Sequence, residues 1–274
     1  MSLSRYHWRR LVMMFATAFC ALTAFLLLSQ VMKPTVPVSM IVKVAALSFP
    51  FTVSLTLPMA ILIAVLRVFT GRAGEPENTQ ARAVASVVAI SACVAALALL
   101  WNDRVLPRSN HELRKLLAQT QHSGLVSDTS YKGDREMTIG ELRLVVRGAN
   151  DDASRSAAIG DEQRARSARL RAAVYEVEIQ KKYSLAAACV LFALFGAALG
   201  RRVPGGGWIL TLAVSIGVFS LYYVALIGGE ELGDRLIVSP FMAMWTVNLV
   251  LGIAGAGILC SMSRQFSRDA VRTQ

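Results

Sequence analysis

Charge is missing from long stretches of this 274-residue chain, and that absence excludes more than any motif does. No Asp, Glu, Lys or Arg interrupts Val44 to Leu66 or Leu11 to Val31. Either run is long enough to cross a hydrocarbon core of about 30 Å. Histidine is scarce: His7, His111 and His122 all fall outside the apolar runs, which removes a Ser-His intramembrane protease. A phosphate-cradling Gly-x-x-x-x-Gly-Lys-[Ser/Thr] loop is absent, and Gly200 to Gly207 reads as a turn after two arginines. No cluster of His, Cys, Asp and Glu has metal-ligand spacing. Cys20, Cys93, Cys189 and Cys260 all lie inside apolar runs, where they act as small apolar residues rather than as a disulfide framework. No titratable residue sits in the middle of a run, so a proton-coupled transporter loses its usual signature. The acid pairs Glu230-Glu231 and Asp151-Asp152 read as solvated loop residues. No catalytic residue, metal ligand or cofactor site is assigned.

What is present is apolar. Hydrophobic residues make up 54% of the chain, beyond an ordinary soluble domain, and a polytopic helical membrane protein is the class that fits. The net charge of +11 does not point to nucleic acid, because of where it lies. Arg5, Arg9 and Arg10, then Arg67, Arg72 and Arg82, then Arg201 and Arg202, then Arg264, Arg268 and Arg272 cluster at alternate span ends. The intervening short loops hold only Lys33, Lys43 and Arg235. Such asymmetry places the basic side, with both termini, in the cytoplasm. Trp8, Trp101 and Trp208 stand at span ends, where indole rings favour the interface. The first apolar run is too long for a cleaved signal core and reads as a retained span.

In chain order the pattern predicts an all-α protein with six transmembrane helices and no β-jellyroll. Residues 1–107 hold the first three spans, with a cytoplasmic loop at 67–83. Residues 108–184 form a short periplasmic helical segment, and residues 185–274 hold the last three spans and a tail. Within the extramembrane segment, Ser109-x-x-Glu112 and Thr138-x-x-Glu141 read as capping boxes. The second opens a helix over Ile139 to Arg147, closed by Gly148 to Asp152. From Asp161 one long helix runs into the fourth span, with Ala168, Ala172, Tyr175 and Ile179 on one face and Glu178–Lys182 at i,i+4 spacing. Glu230 to Arg235 reads as a short outer loop, and Gly252, Gly255 and Gly257 as close-packing positions in the last span.

Several stretches carry a resemblance. Leu57-Pro58-Met59-Ala60 is followed by Glu77-Asn78-Thr79-Gln80-Ala81-Arg82-Ala83. Further along come Trp101-Asn102-Asp103-Arg104-Val105-Leu106-Pro107, then Tyr222-Tyr223, then Pro240-Phe241-Met242-Ala243-Met244-Trp245. Taken in this order, they resemble the LptF/LptG permeases, the membrane subunits of the lipopolysaccharide-export ABC transporter. The resemblance implies an inner-membrane permease that works with a cytoplasmic ATPase dimer, a second permease chain and a periplasmic bridge protein, and that moves lipopolysaccharide or a related lipid. It implies that the loop carrying Glu77, with Glu75, Arg72 and Arg82 beside it, couples to the ATPase. Lys33, and less directly Lys43, would meet the lipid head group; the competing reading is that Lys33 snorkels to anchor a helix end.

Two departures stand out. Gln121 to Glu136, where the family inserts a periplasmic jellyroll, is far too short for eight strands. The stretch from Glu77 to Pro107 is shorter than the family's by roughly two helical turns, with Ala85 near its usual glycine. The alternative function is a non-transporting membrane scaffold or regulatory subunit derived from such a permease.

Overall fold

A computed structural model describes residues 5–32, 40–70, 76–120, 132–202 and 207–272. Among them are eight α-helices and no strand: α1 (Arg5–Val31), α2 (Ile41–Thr70), α3 (Glu77–Arg104), α4 (Leu106–Thr120), α5 (Ile139–Ala158), α6 (Glu162–Arg202), α7 (Trp208–Asp234) and α8 (Pro240–Arg272). Six stretches within these helices are long and apolar enough to cross a membrane, contributed by α1, α2, α3 running into α4, α6, α7 and α8. The all-α, six-span architecture without a jellyroll is therefore the architecture of the described residues.

The bundle is built around α2 and α6. These two are mostly buried, whereas α1, α3, α7 and α8 turn most of their apolar surface outward, as Phe25, Leu221, Val224 and Ile253 do. In water such faces would be costly; against lipid they are already in their preferred solvent. What brings α6 onto α2 is the lack of side chains at Gly196 and Gly200. A Cβ on Gly200 would stand 2.7 Å from the Leu66 carbonyl oxygen and 2.9 Å from Phe69 Cβ. On Gly196 it would meet Leu62 at 3.2 Å. Around this contact Leu62, Val65, Phe69, Cys189, Phe192, Ala193 and Ala197 are buried. Gly255 similarly admits Phe195 of α6, with a built Cβ 3.2 Å from its Cα, and Gly252 admits Leu191 at 3.2 Å. Gly257, expected to do the same, has nothing within 4 Å.

Helix α6 is 41 residues long. At about 1.5 Å per residue it measures roughly 60 Å, twice the hydrocarbon thickness, so its first half projects from the bundle. Helix α5 runs back along that projection. Ala149, Ala153 and Ser156 of α5 and Ala165, Ala168 and Ala172 of α6 are all buried, at i, i+3, i+4 and i+7 intervals that make one face on each helix. Gly160, with φ +79°, makes the turn between them. The shared face expected for Ala168, Ala172, Tyr175 and Ile179 is present, with Tyr175 and Ile179 packed in the small core around Leu142.

Three local expectations need correction. Helix α5 does not stop at Gly148 but continues to Ala158. A glycine inside a helix costs only about 1 kcal/mol, less than burying the Ala149–Ala153–Ser156 face returns. The Ser109 capping box does not form: α4 already starts at Leu106, with Pro107 in a first turn where its missing N–H is no loss. The Glu230–Arg235 loop is helical as far as Asp234, because Gly233 lets the last turn of α7 seat against Val177 and Ala243.

Replacing Gly200 with Ala should lower thermal stability in detergent by about 1–3 kcal/mol, since the atoms it meets are backbone and cannot swing aside. Gly257→Ala, in open space, serves as the control and should leave the unfolding temperature within error. Equal behaviour of the two variants in a melting assay contradicts the packing account.

Candidate functional site

The end of the bundle that carries α5 is closed by polar contacts to one short segment, Lys132 to Glu141. Asn110 Nδ2 donates to the Arg135 carbonyl, and Glu136 receives His111 Nδ1 at 2.8 Å and Arg114 Nε at 2.9 Å. Lys182 Nζ donates to the Met137 carbonyl at 2.6 Å, and the Ile139 amide donates to Asp103 Oδ1 at 2.6 Å. Arg135 Nη2 reaches Glu230 Oε1 at 3.0 Å. Helices α3, α4, α6 and α7 are thus tied to the same ten residues.

The segment ends in a helix cap. Thr138 N donates to Glu141 Oε2 at 2.8 Å while Glu141 N donates to Thr138 Oγ1 at 3.3 Å, the expected capping box. Lys132 Nζ adds a 2.6 Å contact to Glu141.

Beneath this segment lies a cavity of about 460 Å³. Its walls come from Phe51, Ser54 and Leu55 of α2, Asn102, Leu106 and Asn110 of α3 and α4, Glu178, Lys181, Lys182 and Leu185 of α6, and Tyr223, Leu226, Ile227, Glu230, Glu231 and Asp234 of α7. One side is charged and the other apolar. Lys181 bridges Glu178 at 3.3 Å and Glu230 at 2.7 Å. The sequence spacing suggested a Glu178–Lys182 pair; in the fold Glu178 takes Lys181, and Lys182 turns to the Met137 carbonyl. Lys182 is 3% exposed and Glu178 7% exposed, burial that charged groups tolerate only when paired or hydrogen-bonded. The Glu230-Glu231 pair is not a solvated loop: Glu230 is half-buried and holds two cations, while Glu231 pairs outward with Arg235.

Of the quoted sequence motifs, Asn102, Leu106 and Tyr223 line this cavity. Trp101 Nε1 donates to the Pro50 carbonyl at 3.1 Å. Ser54 Oγ stands between the Pro50 carbonyl and the Asn102 side chain. Tyr222 is buried edge-on against Phe192. Ser184 Oγ donates to the Met244 carbonyl at 2.8 Å, Asn248 Nδ2 to the Ser184 carbonyl at 3.0 Å, and Trp245 Nε1 to Gln180 Oε1 at 3.1 Å.

The sequence-selected residues fare differently. Lys33, Arg72 and Glu75 lie outside the described residues. Glu77 is the first residue of α3 itself, directly after Pro76, so among the described residues no separate helix precedes the span. Arg82 is exposed on α3, and Lys43 is exposed in the first turn of α2 and does not line the cavity. At the opposite end, Arg67 lies over the Trp208 ring at 5.8 Å, joining the last turn of α2 to the start of α7, and Arg202 Nη2 donates to Ser261, joining the end of α6 to α8. Sequence reasoning missed Arg135, Glu178, Asp234 and Asn102 as cavity residues. The one signal within reach was electrostatic: three acids crowd the last turn of α7, where a helix disfavours negative charge.

Six apolar crossings around an apolar core, with charge gathered at the ends, define a multi-pass helical membrane protein. Within that class the match is specific. The lipopolysaccharide export system permease LptF/LptG family matches residues 5–133 and again residues 122–260, and the chain belongs to that family. The two matches overlap in residues 122–133. No individual curated protein matches the chain. The family is one of membrane transport components, not of catalysts.

The capping carboxylate gives a pH signature. The Lys132 contact and the Thr138 amide hold Glu141 from its ordinary 4.5 down to about 2. A lowered folded-state value contributes stability that is present above the ordinary value and lost as pH falls through the folded one. Amide exchange in the first turn of α5, corrected for intrinsic rates, should therefore quicken between pH 4.5 and about 2. Glu141→Gln should flatten that dependence. The effect should be small, because the side chain is 40% exposed and screened by solvent. No acceleration in the wild type would remove the cap from the stability account.

Proposed function

We propose that this protein is the permease subunit of an ABC exporter that draws lipopolysaccharide or a related envelope lipid from the inner membrane toward the outer membrane, and that it does so without a jellyroll. The observation that carries the reading is the family match on both sides of the connecting segment. The cavity supports it physically: an amphiphile asks for an apolar wall for its chains and charged groups at the interface for its head. In this reading both termini are cytoplasmic, and ATP hydrolysis belongs to a separate soluble ATPase dimer. A second permease chain completes the membrane unit, and a periplasmic bridge protein receives the lipid. Glu77 docks against the ATPase, with Glu75, Arg72 and Arg82 beside it. Lys33 meets the lipid head group, with Lys43 a weaker partner.

Co-purification in mild detergent, followed by protein and lipid mass spectrometry, tests the assignment. Recovery of an ATPase together with a phosphorylated lipid supports export; recovery of neither favours a scaffold. Orientation is tested separately. Cysteine labels beside Lys132 should react with impermeant reagents from outside and labels beside Glu77 should not; the reverse pattern defeats the topology.

Glu77→Ala probes coupling. A water-exposed ion pair is worth about 0–1 kcal/mol, whereas truncating a carboxylate buried against a basic partner costs several. The substitution should weaken ATPase association at least about tenfold or uncouple hydrolysis from transport. Glu75→Ala should do less, since Pro76 separates it from the helix. ATPase binding and lipid-stimulated hydrolysis that stay at wild-type levels in Glu77→Ala would remove the docking role.

A further inference from the structure

The cavity at the α5 end holds carboxylates that its own cations do not satisfy. Glu230, Glu231 and Asp234 occupy the last five residues of α7, a helix whose last turn contains no basic residue. The dipole of a helix disfavours anions at its C-terminal end, so each of these acids needs a cation from elsewhere. Glu230 has two, Lys181 at 2.7 Å and Arg135 at 3.0 Å, and Glu231 has Arg235. Asp234 is left. It lines the cavity, is only partly buried, and takes part in no ion pair or hydrogen bond among the described residues, while its Oδ1 is sealed even from water. A partly exposed carboxylate at a cavity wall with no cation paired to it is short of an N–H donor carrying positive charge.

The opposite charge is also incompletely used. Lys181 offers three donors and spends two, on Glu178 and Glu230. Arg135 offers five, and its Nη2 serves Glu230. Both groups line the same cavity as Asp234, so room for an anion and a cation is found in one space of about 460 Å³. Part of the lining is apolar, with Phe51, Leu55 and Leu226 at α2 and α7. Among the described residues no group of three or more His, Cys, Asp or Glu is placed to hold a metal ion, which turns the search toward an organic cation.

We propose that this cavity binds the head of a zwitterionic phospholipid, with a primary ammonium on Asp234, the phosphate at Lys181 and Arg135, and the start of the acyl chains along the apolar wall. The inference refines the lipid class of the permease reading and rests on that reading only for calling the occupant cargo. Primary matters, because a trimethylammonium head carries the same charge but has no N–H to give the Asp234 oxygen. A glycerol head supplies hydroxyl donors but no positive charge. A soluble phosphorylethanolamine carries both charged groups but nothing for the apolar wall.

The test uses the purified full chain in nanodiscs or detergent, with retained lipid quantified by native mass spectrometry. The probes are phosphatidylethanolamine, phosphatidylcholine and phosphatidylglycerol with the same acyl chains, and free phosphorylethanolamine. Phosphatidylethanolamine should be retained about tenfold better than either other lipid, the scale of losing one charged hydrogen bond in a desolvated site. Free phosphorylethanolamine should bind more weakly still. Asp234→Asn keeps the shape, removes the charge and should bring phosphatidylethanolamine down to the phosphatidylcholine level. Lys181→Gln should lower all three lipids together. Glu112→Gln, on the exposed pair with Lys115 outside the cavity lining, should change nothing. Elution profile and unfolding temperature identify any variant that fails to fold, and Asp234→Ala then gives a second measurement at the same position. Equal retention of the three lipids, or a preference that survives Asp234→Asn, overturns the proposal; free phosphorylethanolamine binding as well as the lipid overturns its lipid form. Because these readings need no ATPase, an absent ATPase defeats the export reading while leaving a measured head-group preference standing.

Discussion

The two most buried helices, α2 and α6, meet where Gly200 puts a backbone against the Leu66 carbonyl with no side chain between. Much else follows from it. In a membrane the hydrophobic effect does not hold helices together, since lipid tails are as apolar as leucine; contact density does. Two helices that meet backbone to backbone gain that density along their whole crossing, and they become the surface on which α1, α3, α7 and α8 are laid. The outer four can then turn most of their apolar side chains toward lipid. Helix α7 shows the result, with only Thr211, Ser215, Tyr222, Leu226 and Gly233 buried along its length.

A helix so sparsely packed needs a second anchor, and at the α5 end the anchor is ionic. Glu230 meets Lys181 of α6 and Arg135 of the connecting segment, while Tyr222 is wedged against Phe192. The two attachments differ in kind. The aromatic contact is uncharged and insensitive to salt, whereas the ionic one depends on the charges of its partners and on whatever anion or cation enters the cavity beside them. Loosening the ionic attachment leaves the aromatic pivot in place.

How much of this was legible from sequence differs by level. Six spans and the absence of a jellyroll follow from apolar runs and segment length, because bilayer thickness imposes one dominant constraint on every crossing. The Thr138 box was legible because both of its partners are three residues apart; the Ser109 box failed because Pro107 had already opened a helix. The extent of α5 was misread at Gly148, where a local breaker lost to a buried alanine face that belongs jointly to α5 and α6. The cavity was not legible. Arg135 and Glu230 stand 95 residues apart, and Lys181 and Glu230 stand 49 apart, so no local pattern announces them as partners. Glu178 and Lys182 looked like a helix-surface pair at i,i+4, yet burial sent them to different partners.

The continuity of α6 joins the two ends of the molecule. Its N-terminal half carries the alanine seam with α5, its middle carries Lys181, Lys182 and Ser184, and its C-terminal half carries Gly196 and Gly200 against α2. No proline interrupts the helix, and its glycines are packed against a neighbour rather than free to bend. A hairpin mounted on such a rod cannot tilt without moving the cavity wall and the α2 contact with it. Here the helical segment and the membrane bundle share one continuous helix, α6.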